Sequence, residues 1–197
     1  MTSSNSSSNI SSDFKNVTIS GGVGVGTTTL MKNLMPFLEP LGFSFTSTGM
    51  MMRERMQEYK NPRADLLEDE VHKKVEKDTY EILAAKKPYV IEGWLSGFIA
   101  RDLQHTLRIY VFASEDSVRV DRIVNRDHMT VQEARDMIRD REDANFKMWK
   151  NIYGDFNFWD PKYYHVSIDT CLHGQNETVG KVLDVLGYTP MSSNIFR

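Results

Sequence analysis

Near the start of the chain, Gly21-Gly22-Val23-Gly24-Val25-Gly26-Thr27-Thr28 places glycines where a main-chain loop could wrap an anion. Its G-x-x-x-x-G spacing is that of a phosphate-binding loop. Glycine lets backbone N–H groups converge on phosphate oxygens without a Cβ in the way, and a helix that follows would aim its positive end at the same oxygens. Thr28 occupies the place of the hydroxyl that would hold magnesium, and the candidate nucleotide-binding set is Gly21, Gly22, Val23, Gly24, Val25, Gly26, Thr27, Thr28 and Thr29. The plain alternative is a glycine-rich turn that only packs a helix on a strand. The departure is Thr27, where the consensus has a lysine that contacts the terminal phosphates. Threonine cannot supply that charge. Either cations arrive from elsewhere in the chain, or the loop binds nucleotide without efficient transfer.

The elements around this loop suit it. Asn16–Ser20 is a β-prone run before the glycines, and a helical stretch continues to Leu38. Residues 42–47 predict a second strand, with a helix from Met50 to Tyr59 and a polar break at Asn61-Pro62. Leu67, Val71, Val75 and Ile82 then follow one helical face until Lys87-Pro88. Tyr89–Ile91 and Leu107–Phe112 are further strands, Ser114 is the expected cap of a helix to Arg126, and Thr130 with Glu133 forms a capping box for a long charged helix. A fifth strand is predicted over Tyr163–Ile168, and Val179, Val182, Leu183 and Leu186 line a last helix ended by Gly187. Strands alternating with helices predict an α/β, three-layer P-loop NTPase fold with a five-stranded parallel sheet and a ligand crevice beyond the strands' carboxyl ends.

At 197 residues the chain suits one domain, and 40% hydrophobic with 26% charged residues places it among ordinary globular proteins. A net charge of -3 argues against a duplex nucleic-acid partner. The lone Cys171 can form no internal disulfide, and no signal-like or membrane-spanning run is evident, so a cytoplasmic protein, monomeric and not membrane-bound, is expected. Residues 1–14 are expected to be a disordered Ser/Asn-rich tail, residues 15–188 the domain, and residues 189–197 a C-terminal tail. The histidines lack ligand spacing, and no Ser-His-Asp or Cys-His set can be assembled locally.

GVGTTT, followed by STGxxxR and IEGxLSG, resembles the cytidylate kinases of archaeal type, over about Asn16 to Tyr188. The resemblance implies ATP, Mg2+ and CMP or dCMP, with small-molecule nucleotides as the partners. It also implies helical segments for the monophosphate at about 48–87 and for a lid at about 122–155. In that family a GTTT loop without lysine recurs. Ser47, Thr48 and Gly49 match its monophosphate motif, and Arg53 would hold the acceptor's phosphate, where a guanidinium fork is chemically apt. Glu92 matches the position of an acid that orients magnesium-bound water, and Glu92, Gly93 and Trp94 join the expected substrate-binding residues. Arg122 and Arg126 resemble lid arginines that meet the donor, and Arg139, Arg141 and Lys147 continue the basic supply that could replace the missing lysine.

Bland readings stand beside each of these. Arg53 could lie on a solvated helix face, Glu92 could cap a turn, and the Arg/Asp alternation of 135–143 could be a self-paired surface. Two departures touch the substrate: Met50 stands where the family has an acid, and Trp94 where it often has arginine. Trp94 could stack on a base or simply wall a pocket. The expected activity is transfer of the γ-phosphoryl of ATP to CMP or dCMP. The alternatives are a nucleotide-binding pseudokinase or regulatory module, and a P-loop kinase of another small molecule.

Overall fold

The computed structural model describes residues 8–58 and 69–190. Tyr59, Asn61-Pro62 and Leu67, used above to bound the second and third helices, lie outside these residues.

Strand β1 (Asn9–Ile10) is followed by β2 (Asn16–Ser20), the glycine loop and helix α1 (Thr27–Leu38). Next come β3 (Ser44–Ser47), α2 (Thr48–Glu58), α3 (Asp69–Ala84), β4 (Tyr89–Glu92) and the short α4 (Ser96–Ile99). The second half runs β5 (Thr106–Phe112), α5 (Asp116–Asp127), α6 (Val131–Tyr153), β6 (Val166–Asp169), α7 (Gln175–Leu186) and β7 (Tyr188–Thr189).

Five strands form one sheet in the order β3-β4-β2-β5-β6, and every neighbouring pair is parallel. This is the α/β, five-stranded parallel arrangement expected from the alternation. Period-two patterning sorts β2 between two covers. Val17 and Ile19 join the core beneath α1 and α7, where Leu30, Leu34 and Leu38 recur at helical spacing opposite Val179, Val182 and Leu186. Asn16 and Ser20 face the other way: Asn16 Nδ2 donates to the Leu83 carbonyl at the end of α3, and the Ser20 hydroxyl meets Ser96 of α4. Each fully buried leucine contributes about 1.5–3 kcal/mol, so the α1 stripe holds the glycine loop firmly against the sheet. The carboxyl ends of β2, β3, β4 and β6 open on one crevice, through Gly22, Ser47, Glu92 and Thr170.

Three expectations are corrected. Strand β6 starts at Val166, because Pro161–Tyr163 forms a single 3-10 turn capped by the Asp160 side chain. The residue before α5 is Glu115 rather than Ser114, and the Ser114 N–H is drawn to Asp169 Oδ1 instead. Residues 8–14 of the stretch assigned to a disordered tail are built into the fold, and residues 1–7 and 191–197 of the two tails lie outside the described residues. Asn9 and Ile10 pair antiparallel with Thr189 and Tyr188, and Ile10 and Phe14 pack on the core. Two apolar side chains and a free strand edge outweigh the Ser/Asn composition there. The capping box at Thr130/Glu133 and the left-handed Gly187 after α7 are present as expected.

Candidate active site

The glycine loop follows β2 and leads into α1, whose first residue is Thr27. Gly24 and Gly26 have φ of 75° and 100°, a region that favours glycine, and a Cβ at Gly21 would collide with the Val111 carbonyl oxygen. The loop therefore needs its glycines for both turn and close approach. Thr27 is buried, and its hydroxyl donates to Glu92 Oε1 at 2.9 Å. Thr28 and Thr29 are exposed on the first turn. The hydroxyl that meets the acid at the end of β4 is thus Thr27's, in the lysine's place, and Thr28, expected on the metal side, lines the same crevice. Burial raises the Glu92 carboxyl above its usual value, and the Thr27 bond and the nearby positive charge of Arg53 oppose that shift.

Beside this pair lies the second half of the site. The buried Ser47 hydroxyl accepts from the Met50 N–H at 3.1 Å and starts α2, and Gly93 lies so close to Thr48 that any Cβ would strike its hydroxyl. One turn on, Arg53 lines the crevice and makes no ion pair among the described residues. Arg55 instead pairs with Glu58 and Asp78. With no ion pair among the described residues, this guanidinium near the Glu92 carboxylate and the phosphate loop is available for an anion.

From above, α5 and α6 bring the remaining cations. Arg122 donates to the carbonyls of Gly24, Val25 and Thr170 and to the Thr170 hydroxyl, clamping the glycine loop to the turn after β6. Arg126 pairs with Asp127, and Arg141 and Lys147 line the same crevice without ion pairs among the described residues. Surrounding protein, and after it the charge of Arg126, pushes the Arg141 guanidinium below the usual arginine value. Asp127 and Glu142 compensate only in part, and the two arginines form a positive focus for an anion. Arg139 is different: it sits on the outer face, paired with Asp136 and Asp140, and does not line the crevice. The solvated reading holds for that residue.

Trp94 is a half-buried wall with the Arg141 guanidinium 5.7 Å from its ring centre. Its ring meets Trp149 of α6 and Trp159, and its carbonyl accepts from Trp159 Nε1, so it joins the lid's aromatic core to the β4 loop. Sequence reasoning missed two acids. Glu142 of α6 accepts from the Val23 N–H and from Arg119, whose Nε also donates to the Val23 carbonyl. Glu76 of α3 lines the crevice. Neither belongs to a recognisable spacing. Their signal is tertiary: a carboxylate resting on the glycine loop, and another with a sealed oxygen.

The crevice occupies about 1870 Å³ and is lined from the glycine loop through Arg53 and Glu92 to Arg126, Arg141 and Lys147. A phosphate loop at the end of a central parallel strand, an acid on the neighbouring strand and helices that bring arginines over both define a nucleotide-binding P-loop kinase. The shikimate kinase from Acinetobacter baumannii has this fold, with TM-score 0.52 and 16% identity over 87% of this chain and 92% of that one. An uncharacterised protein from Eubacterium ventriosum is similar at TM-score 0.67, with 13% identity over 87% and 97% of the two chains.

Within that class the chain belongs to the cytidylate kinase-like family, whose model matches residues 42–171. The cytidylate kinase of Pyrococcus furiosus is 36% identical over 163 residues, covering 78% of this chain and 79% of that protein. The protein is accordingly an ATP-dependent phosphotransferase of the nucleoside monophosphate kinase kind. Among the described residues no helix is long and apolar enough to cross a membrane.

Proposed function

We propose that the protein transfers the γ-phosphoryl group of Mg-ATP to the phosphate of CMP or dCMP. The observation that carries this reading is the opening of the glycine loop and the unpaired Arg53 onto one crevice that also receives Arg126 and Arg141. The glycine cradle suits a triphosphate, since Gly26 takes a φ of 100° and a Cβ built there meets no atom within 4 Å, which leaves its backbone open to a phosphate. Glu92, held by the Thr27 hydroxyl, and the Thr28 hydroxyl would hold Mg2+ through its water shell, and no cluster of three or more acid, His or Cys ligands exists among the described residues. Such a donor set fits an ion carried mainly by phosphates and water. When bound, Mg2+ neutralises charge on the phosphates.

Arg53 would fix the acceptor phosphate as a fork, so that its oxyanion faces the donor in line. That oxyanion needs no general base, and no covalent enzyme intermediate is required. Arg126, Arg141 and Lys147 would take the place of the absent lysine by stabilising charge that spreads over the transferred group. Closure of α2 and α3 on the acceptor and of α5 and α6 on the donor would exclude water, which otherwise competes as acceptor. The protein is taken to act on free nucleotides as a cytoplasmic monomer.

The test is a coupled assay of diphosphate formation with Mg-ATP and CMP, dCMP, UMP or AMP offered separately. Selective turnover of CMP or dCMP is expected. ATP binding with turnover of none of them would overturn the acceptor assignment.

A further inference from the structure

Helix α3 turns one stripe of side chains, His72, Val75, Glu76 and Thr79, toward the crevice. Opposite them on α2 lie Met52 and Arg53. Glu76 stands out in this stripe because its Oε2 is sealed from solvent with no hydrogen-bond partner among the described residues. A buried acceptor left unpartnered destabilises the protein that carries it, so such a group is retained where a ligand completes it. Burial alone pushes the Glu76 carboxyl up to about 8.

The charged and titratable groups lining the crevice around it are Asp69 and His72 on its own helix, Arg53 on α2, Glu92 at the end of β4, and Asp140, Arg141 and Lys147 on α6. Helix α4, which also packs on α3, offers none. None of these groups pairs with Glu76 in an ion pair. At neutral pH it is therefore a neutral carboxyl, with one O–H donor beside one carbonyl acceptor.

The structure assigns Glu76 as the residue that reads the hydrogen-bonding edge of the acceptor's base, an assignment that rests on the nucleoside monophosphate reading above. The edge of cytosine offers an amino donor beside a ring-nitrogen acceptor, and a neutral carboxyl satisfies both at once. The carboxyl O–H donates to the ring nitrogen, and its carbonyl oxygen accepts from the amino group. The proton stays on the carboxyl, which holds it more tightly than the ring nitrogen does, so the pair is a neutral double hydrogen bond. Uracil, with N–H and carbonyl on the same edge, is met by the same two atoms with their order reversed. Glu76 thus holds the base edge of a pyrimidine, while Arg53 serves its phosphate.

The experiment measures binding of CMP, UMP and ribose 5-phosphate, the last having a phosphate and no base, to wild type, Glu76→Leu and Glu76→Gln by calorimetry. KM for ATP is followed in parallel. Leucine should weaken CMP about tenfold or more and leave ribose 5-phosphate and ATP unchanged. Glutamine, which keeps one donor and one acceptor, should bind CMP within a few-fold of wild type at pH 7. Wild-type affinity for CMP should decline above pH 8, where the carboxyl loses its donor, and the glutamine variant should stay level. Equal CMP binding by wild type and the leucine variant, or a parallel loss of CMP, ribose 5-phosphate and ATP, would overturn the inference while leaving the kinase reading intact. Wild type that binds no pyrimidine monophosphate would overturn both.

Discussion

Gly93→Ala tests the join between the two halves of the site. A Cβ there would overlap the Thr48 hydroxyl oxygen and come within 2.6 Å of its Cγ2 and 3.0 Å of its Cβ. Retreat of Gly93 is blocked, because its N–H donates to the Ile19 carbonyl at 3.0 Å and its own carbonyl accepts from Ser96 at 3.2 Å. Thr48 must yield instead. Overpacking of this kind costs about 1–3 kcal/mol, and at about 2–4 °C per kcal/mol a cost of ~2 kcal/mol lowers Tm by about 4–8 °C. Displacing the first residue of α2 also moves Arg53 one turn on, so the acceptor KM should rise about tenfold or more, with the KM for ATP much less affected. The assay is thermal unfolding and steady-state kinetics of Gly93→Ala, Thr48→Ala and the double variant. Thr48→Ala removes the two closest atoms, so the double variant should recover about 1–2 kcal/mol of the loss. A Gly93→Ala cost that is negligible, or the same in both backgrounds, would refute the reasoning.

Arg53→Ala should raise the acceptor KM by about 10–100-fold and leave the KM for ATP within about twofold, with Arg53→Lys recovering only part of the loss. Arg141→Ala should lower kcat by about a hundredfold or more, and Arg139→Ala, which strips only an exposed self-paired residue, should leave kcat and stability within about 0.5 kcal/mol of wild type. Glu142→Ala leaves the Arg119 guanidinium, only 13% exposed, without its main partner, so denaturant unfolding should show a loss of about 3 kcal/mol. Glu76 also predicts a pH dependence of stability. Its folded value near 8 exceeds the ordinary 4.5, so its contribution is fully present below pH 4.5 and is lost as pH rises toward 8. Relative to wild type, Glu76→Gln should therefore gain stability with pH across that window, at no more than about 1.4 kcal/mol per pH unit.

The strands and the glycine loop were legible because their signals are local: alternation in Val17–Ile19, the spacing of Gly21 to Gly26, and the capping box at Thr130. The start of β6 was misplaced because Tyr163 and Tyr164 have β-prone side chains, yet Asp160 caps a turn that takes in Tyr163 and ends at Tyr164. Arg53 was legible from a short motif, and Arg141 could be separated from Arg139 only in three dimensions. On a helix, residues two apart point to different sides, so one arginine enters the crevice and the other meets solvent. Glu76 and Glu142 were illegible for a further reason. What distinguishes each is the neighbour supplied by distant chain, a sealed pocket for one and the Val23 amide with Arg119 for the other.

The β1–β7 pairing closes the molecule at the amino ends of the sheet strands, the pole opposite the crevice, with the Ser11 N–H donating to the Gly187 carbonyl and the Ser12 N–H to that of Leu186. The two ends of the described chain, at residues 8 and 190, lie side by side, away from the crevice. A tag, a surface tether or a fused domain at either end would hang from the back of the enzyme. A short peptide could splice the ends into a ring, freeing a designer to cut the backbone anew at a surface turn without disturbing catalysis.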